Sequence, residues 1–231
     1  MDALARIEPV ARPLIARVDT ALSSLGAPPG HAVWPLLREI GATPGDVVGF
    51  VAALSSEQVR PVAARLRRIA DEYGEAVPVA GVAWQGAAGA EYAGEVAALS
   101  AHLADVLPEG VHATADCLEL MADWQERSRR AMARALADVL VSSEAVTLRQ
   151  EEARVDRPPA SRAGVLAAAD ISVHVLESAR AIVREGADVR AAWSTAVAVR
   201  SYRSVPLAGS RGGAVIEVRP THGGPDRRGL G

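Results

Sequence analysis

One stretch of the chain has the spacing of a metal-binding helix, Glu109-x-x-His112. Asp116 and Glu119 follow at helical spacing and would lie on the same side of that helix. A di-metal site inside a helical bundle, however, uses the Glu-x-x-His element twice, with two further carboxylates from other helices. The chain contains no second copy of the element. We therefore expect ordinary solvated side chains here, with no metal ion and no other cofactor.

Two histidines stand three residues before a carboxylate, His102 with Asp105 and His174 with Glu177. Such pairs are able to act as a general base and the group that orients it. No serine in a nucleophile-elbow context accompanies them, so we interpret both pairs as exposed helix faces. Cys117 lies in a Leu-rich stretch, where a free cysteine usually behaves as a small buried apolar group. We predict that the chain is not an enzyme.

The basic residues are all arginine, because the chain contains no lysine. The absence of lysine excludes a Schiff-base mechanism and the lysine of a phosphate-binding P-loop. Two arginine clusters stand out: Arg60, Arg65, Arg67 and Arg68, and then Arg127, Arg129, Arg130 and Arg134. Nearby carboxylates indicate mixed, solvated helix faces. With a net charge of -3 and a pI near 6.0, the chain lacks the basic excess of nucleic-acid-binding proteins.

In the segments that carry these residues, apolar side chains recur every three or four positions, as in amphipathic helices. We therefore predict an all-α helical bundle. We expect the helix before Pro108 to stop there, and a helix after the linker to stop at Gly186. The predicted divisions are short N-terminal helices at 1–55, a central helical hairpin at 56–150, a linker at 151–163, a C-terminal helical pair at 164–203 and a mobile, disordered tail at 204–231.

Two apolar stripes lie on either side of a turn at Trp84-Gln85-Gly86. The first stripe comprises Val59, Val62, Leu66, Ile69 and Tyr73, and the second comprises Tyr92, Val96, Leu99, Leu103 and Val106. Each series advances by three and four residues and so marks one helix face. Two such helices joined by a turn bury these faces by packing on each other or on a partner. Gly86 allows a positive φ, and Trp84 supplies a large apolar plug for the bundle end.

The block from Trp84 to Tyr92 resembles the WXG family, small helical-hairpin proteins related to early secretory antigens that actinobacteria export through type VII secretion. The resemblance covers about residues 56–150. It implies that Trp84, Gly86, Tyr92, Leu66, Ile69, Val96 and Leu99 form the turn and a partner-binding seam. One feature departs from the family, since none of the three tyrosines begins the Tyr-x-x-x-Asp/Glu signal that its substrates or their partners commonly carry.

By this resemblance we expect a helical interaction protein, either a type VII secretion substrate or an associated adaptor. Its partner would be a helical-hairpin protein or a second copy, with the secretion machinery as a further contact. Charges and Pro9 interrupt the N-terminal apolar residues, so we expect no signal peptide and no membrane span. The location would be cytoplasmic, or secreted without a cleaved signal. The alternatives are a cytosolic helical binding module without a secretion link, and an enzyme of unknown class using His102, His112 or Cys117.

Overall fold

The computed structural model describes residues 2–76, 85–152 and 161–196. Over these ranges the protein is an all-α bundle without strands, which confirms the predicted fold class. The helices are α1 (Ala3–Leu25), α2 (Val33–Ile40), α3 (Pro44–Ala53), α4 (Ser56–Ala76), α5 (Ala87–Ala101), α6 (Leu107–Leu140), α7 (Ser143–Glu152) and α8 (Arg162–Ala196). A π-helical segment, His102–Val106, joins α5 to α6.

The N-terminus of α3 is tied to α1 by a partly exposed polar cluster. Thr43 and Asp46 form a capping box that satisfies the first free N–H groups of α3. The Asp19 carboxylate on α1 accepts hydrogen bonds from the Gly45 N–H at 3.1 Å and the Thr43 hydroxyl at 3.2 Å. Burial raises the pKa of Asp19, despite these bonds. A side chain at Gly45 would collide with that carboxylate and displace it from these hydrogen bonds.

One hydrophobic core unites α1, α2, α3, the C-terminal half of α6, α7 and α8. Large, completely buried members of this core are Leu4, Val18, Val33, Val51, Met132, Leu136, Leu148, Val175 and Leu176. Each such side chain stabilises the fold by about 1.5–3 kcal/mol through removal from water. Because these residues come from the predicted N-terminal, central and C-terminal divisions alike, the three divisions share one core.

Helix α4 packs in antiparallel orientation along the N-terminal part of α6. Two ion-pair clusters fix the register: Arg60 with Asp123 at 2.8 Å and with Glu126 at 2.9 Å, and Arg67 with Asp116 at 2.6 Å and with Glu119. The second cluster repeats the first after seven residues on each helix. The arginines lower the pKa values of Glu119 and Glu126. The charges therefore align α4 with α6 at two levels.

Alanines follow the same seven-residue repeat at this interface. Ala63 and Ala70 on α4, and Ala115 and Ala122 on α6, are all essentially inaccessible to water. The register set by the ion pairs places Ala63 beside Ala122 and Ala70 beside Ala115. Small side chains allow two helix backbones to approach closely, so larger residues at these positions would separate α4 from α6.

Helix α4 packs mainly on α6. Two members of the second stripe, Leu103 and Val106, lie in the π-helical segment, which also contacts α4. The predicted stop at Pro108 is wrong. A proline ring clashes with the carbonyl four residues earlier in a regular helix. Here Leu107 donates its N–H to the His102 carbonyl across a wider π turn, and α6 continues with Pro108 in its first turn.

The predicted C-terminal helical pair is one helix over the described residues, because α8 continues through Gly186. Gly186 lies against the indole of Trp124, where a side-chain Cβ would be only 3.0 Å from Cζ2 of that ring. This glycine therefore permits close helix packing instead of ending the helix. Trp84, residues 153–160 of the predicted linker and the predicted tail at 204–231 lie outside the described residues.

Candidate functional site: an apolar groove between α3 and α8

An open apolar groove of about 560 Å³ runs between α3 and α8. Helix α8 supplies one wall through residues three and four apart, and α3 supplies the other, with Trp124 of α6 and the end of α2 completing the lining. The lining residues are Ile40, Ala42, Asp46, Val47, Phe50, Val51, Trp124, Ala179, Ile182, Val183, Gly186, Ala187 and Arg190. From Ala179 to Arg190 the α8 wall is about 16 Å long, or three helical turns.

The floor and the rim of the groove differ in exposure. Val51 and Ile182 in the floor belong to the buried core. At the rim, Phe50 is 61% exposed and Val183 is 59% exposed. Leaving two large apolar side chains in water beside an apolar floor is unfavourable, at about 25 cal/mol for each Å² that burial would remove. Contiguous exposed apolar surface of this kind marks interaction sites in soluble proteins.

Trp124 and Gly186 give the groove a rigid base. The Trp124 Nε1–H donates a hydrogen bond to the Ile182 carbonyl at 3.1 Å. The indole therefore satisfies its one polar group and offers its remaining surface to packing. Close contact with Gly186 fixes the separation between α6 and α8 at this point. On the neighbouring turns, Arg127 pairs with Glu185 at 2.6 Å.

Two side chains of opposite charge border the apolar surface, Asp46 and Arg190. Asp46 already accepts hydrogen bonds from the backbone and hydroxyl of Thr43. Within the described ranges Arg190 forms no ion pair, whereas Arg180 and Arg184 lie within 4 Å of Glu39. Arg190 therefore remains available to an anionic group on whatever fills the groove.

The predicted turn and seam residues lie away from this groove. Gly86 caps the N-terminus of α5 with φ of 91°, as a glycine turn requires. The other described members are half-buried on α4 and α5: Leu66, Ile69, Tyr92, Val96 and Leu99. Trp84 lies outside the described residues, so its predicted role as a plug stays a prediction.

The residues on α6 whose spacing resembles a metal site do not converge on one point. His112 lies 3.3 Å from Asp71 of α4. Asp116 and Glu119 both contact Arg67, and Glu109 is exposed. Across residues 2–76, 85–152 and 161–196, no cluster of three or more histidine, cysteine or acidic side chains is arranged to hold a metal ion.

The histidine, cysteine and arginine candidates are also separated from the groove. His174 lies 3.8 Å from Asp138, while Glu177 is 3.7 Å from Arg180. His102 and Asp105 belong to the π-helical segment. Cys117 is buried, and burial raises the pKa of its thiol, with a smaller contribution from Asp116.

The arginines of the two predicted clusters serve largely as structural ion-pair partners. Arg60 and Arg67 hold α4 on α6, and Arg127 joins α6 to α8. Arg129 is mostly buried and binds both Asp2 and carbonyl oxygens at the end of α3. These contacts place four of the eight arginines in helix packing.

Phe50, Trp124, Val183 and Gly186 are among the groove residues that the sequence patterns do not indicate. The sequence does contain one signal for the residues on α8, because the spacing of three and four residues continues past Gly186 to Arg190. The prediction that the helix ends at Gly186 overlooks this continuous spacing. The approach of α3 to α8 has no signal in local sequence.

Comparison of the chain with protein-family models, curated proteins and solved structures found no match. Among the helices that the structure describes, none combines the length and the apolar character needed to cross a membrane.

Proposed function

We propose that this protein is a helical interaction protein that binds an apolar helical segment of a partner in the groove between α3 and α8. The observation that carries this proposal is the pair of exposed side chains, Phe50 and Val183, above a buried apolar floor. A groove about three helical turns long accepts apolar anchors at positions i, i+3 or i+4, and i+7 of a bound helix.

The chemistry of the rim defines the partner segment further. It would present one apolar stripe to the floor and an acidic residue to Arg190, next to that stripe. Such a complex acts through packing and charge complementarity and needs no catalytic group. An apolar core with a polar rim is the usual anatomy of a protein interface.

Photo-crosslinking in the native cell tests this proposal. A benzoylphenylalanine placed at position 50 of the full chain should form an adduct with one apolar helical segment of one partner. Val183→Asp, a change at an exposed position, should reduce the adduct at least tenfold. The same photoreactive group at Val141, which is 83% exposed and outside the groove, is the control. Equal adduct yields from positions 50 and 141 would exclude the groove as the binding surface.

For the partner we propose a helical-hairpin protein of a type VII secretion system, with this chain as its adaptor or co-exported substrate. The resemblance of Trp84-Gln85-Gly86, immediately before α5, to the WXG family supports this assignment. The chain would then appear in the culture medium only when both the secretion machinery and the partner are present. If the chain stays in the cells and captures no hairpin protein, the secretion assignment is wrong. The protein would then be a cytosolic binding module.

A further inference from the structure

We propose that a C-terminal segment of this same chain, residues 214–218, occupies the groove between α3 and α8 and competes there with the partner. The inference rests on the proposed function in one respect, namely that the groove is a docking surface. Three observations support it: chain length, the pattern of the segment and charge complementarity.

Chain length allows the segment to reach the groove. Val183 at the centre of the α8 wall precedes Ala196, the last described residue of α8, by thirteen positions, or about 20 Å along a helix. Residues 197–213 contribute seventeen positions of chain, which can span at most about 56 Å. The segment therefore reaches the whole groove, and its tether raises its local concentration to the order of millimolar.

The segment also matches the apolar groove in length and pattern. It reads Ala-Val-Ile-Glu-Val, with Ala214, Ile216 and Val218 on one side of an extended chain. Five extended residues cover roughly 13–16 Å, which is comparable to the length of the α8 wall. Of residues 197–231, this is the stretch richest in β-branched apolar side chains.

Charge complementarity favours this segment over others in the same part of the chain. Glu217 is one of two acidic residues between 197 and 231, and in an extended chain it lies on the side opposite Ile216, towards the rim and solvent. Arg190 is an exposed residue of the groove and lacks an ion-pair partner among the described residues. Arg211 and Arg219 flank the segment and provide a cation for Asp46 at the groove border. Because the tether favours this pairing within one chain, a partner must displace the segment before it binds.

Disulfide trapping in the full chain tests the proposal. Phe50→Cys combined with Ile216→Cys should form an intramolecular disulfide under mild oxidation. The matched control combines Val141→Cys with Ile216→Cys, both variants retaining the buried Cys117. We expect the groove pair to close at least tenfold faster than the control. Equal rates, or linkage only between separate chains, would overturn the proposal.

Exchanging the charges at positions 190 and 217 gives a second test. A variant that merely unfolds the protein would not restore the rate of disulfide closure. Glu217→Arg should slow the closure of the 50–216 disulfide several-fold, and Arg190→Glu combined with Glu217→Arg should restore it. Failure of the double variant to recover would show that these two charges do not meet.

The outcomes also separate this inference from the proposed function. A partner adduct at position 50 together with equal disulfide rates would overturn the docking of residues 214–218 alone. Fast intramolecular closure with no partner adduct, even in a chain carrying Ile216→Asp, would support the docking and overturn the proposed function.

Discussion

Arg129 is the residue whose removal should reveal most about how the bundle is joined. Its guanidinium donates hydrogen bonds to carbonyl oxygens at the C-terminal end of α3: Val51 at 3.3 Å, Leu54 at 2.9 Å and Ala52. It also contacts both carboxylate oxygens of Asp2, the N-cap of α1. One side chain of α6 thus stabilises the ends of two other helices.

The magnitude of the Arg129→Ala effect follows from these contacts. The carbonyls of Ala52 and Leu54 lose this donor, at about 1–3 kcal/mol each, whereas the Val51 carbonyl still accepts from the Leu54 N–H. The Arg129 side chain is 15% exposed and borders an open groove of about 650 Å³, so water would reach the carbonyls and the low end applies. The half-exposed pair with Asp2 adds about 0.5–1 kcal/mol, while releasing the arginine side chain returns up to about 2 kcal/mol of conformational entropy. We expect a net loss of about 1–2 kcal/mol, given these opposing effects.

Equilibrium unfolding in urea measures this loss directly. The midpoint should fall while the slope of the transition stays unchanged. Arg130→Ala is the matched control, because Arg130 is exposed and its nearest acidic group, Glu126, is 3.8 Å away. We expect the control to change the free energy of unfolding by less than about 0.5 kcal/mol. A loss below that value for Arg129→Ala, or equal losses for both variants, would refute the assignment of Arg129 as the joint between α1, α3 and α6.

Three further predictions concern acid stability, helix packing and thiol reactivity. The hydrogen bond from Arg129 lowers the pKa of Asp2 to about 2 from 3.8. This pair therefore stabilises the fold above pH 4, and its contribution, about 1 kcal/mol after allowance for solvent screening, is lost as the pH falls towards 2; Asp2→Asn should remove that pH dependence in urea titrations. Ala122→Leu should cost about 1–3 kcal/mol through overpacking against α4, whereas Ala64→Leu at an exposed position should be nearly neutral by the same assay. Cys117 should resist iodoacetamide in the native protein and react on unfolding, as mass spectrometry would show; rapid native alkylation would contradict its burial.

Local sequence predicts the helical class because apolar residues recur every three or four positions through almost every described helix. Local residues also account for the end of α1 at Gly26 and the start of α3 at Pro44. Gly26 has a φ of 69°, and Pro44 occupies the first turn of its helix. Such signals act within one turn and need no tertiary information.

Tertiary packing decides the features that sequence patterns miss. The packing of α4 on α6 brings Arg60 and Arg67 to carboxylates 49 to 66 residues away in sequence, contacts that no local pattern indicates. Gly186, inside α8, lies against the indole of Trp124, a contact between helices that the local sequence does not indicate. The groove itself arises from the separation of α3 and α8, so no local pattern indicates that Phe50 stays exposed.

The affinity of the groove for its partner segment tests the central claim most directly. The segment captured by the photoreactive group at position 50 would be synthesised and titrated calorimetrically into the full chain. We predict binding with a negative heat-capacity change, because apolar surface is buried. Val183→Asp should weaken this binding at least tenfold, and Val141→Asp should leave it unchanged. Equal affinities for the wild-type chain and the Val183→Asp chain would contradict the assignment of the groove as the interaction site.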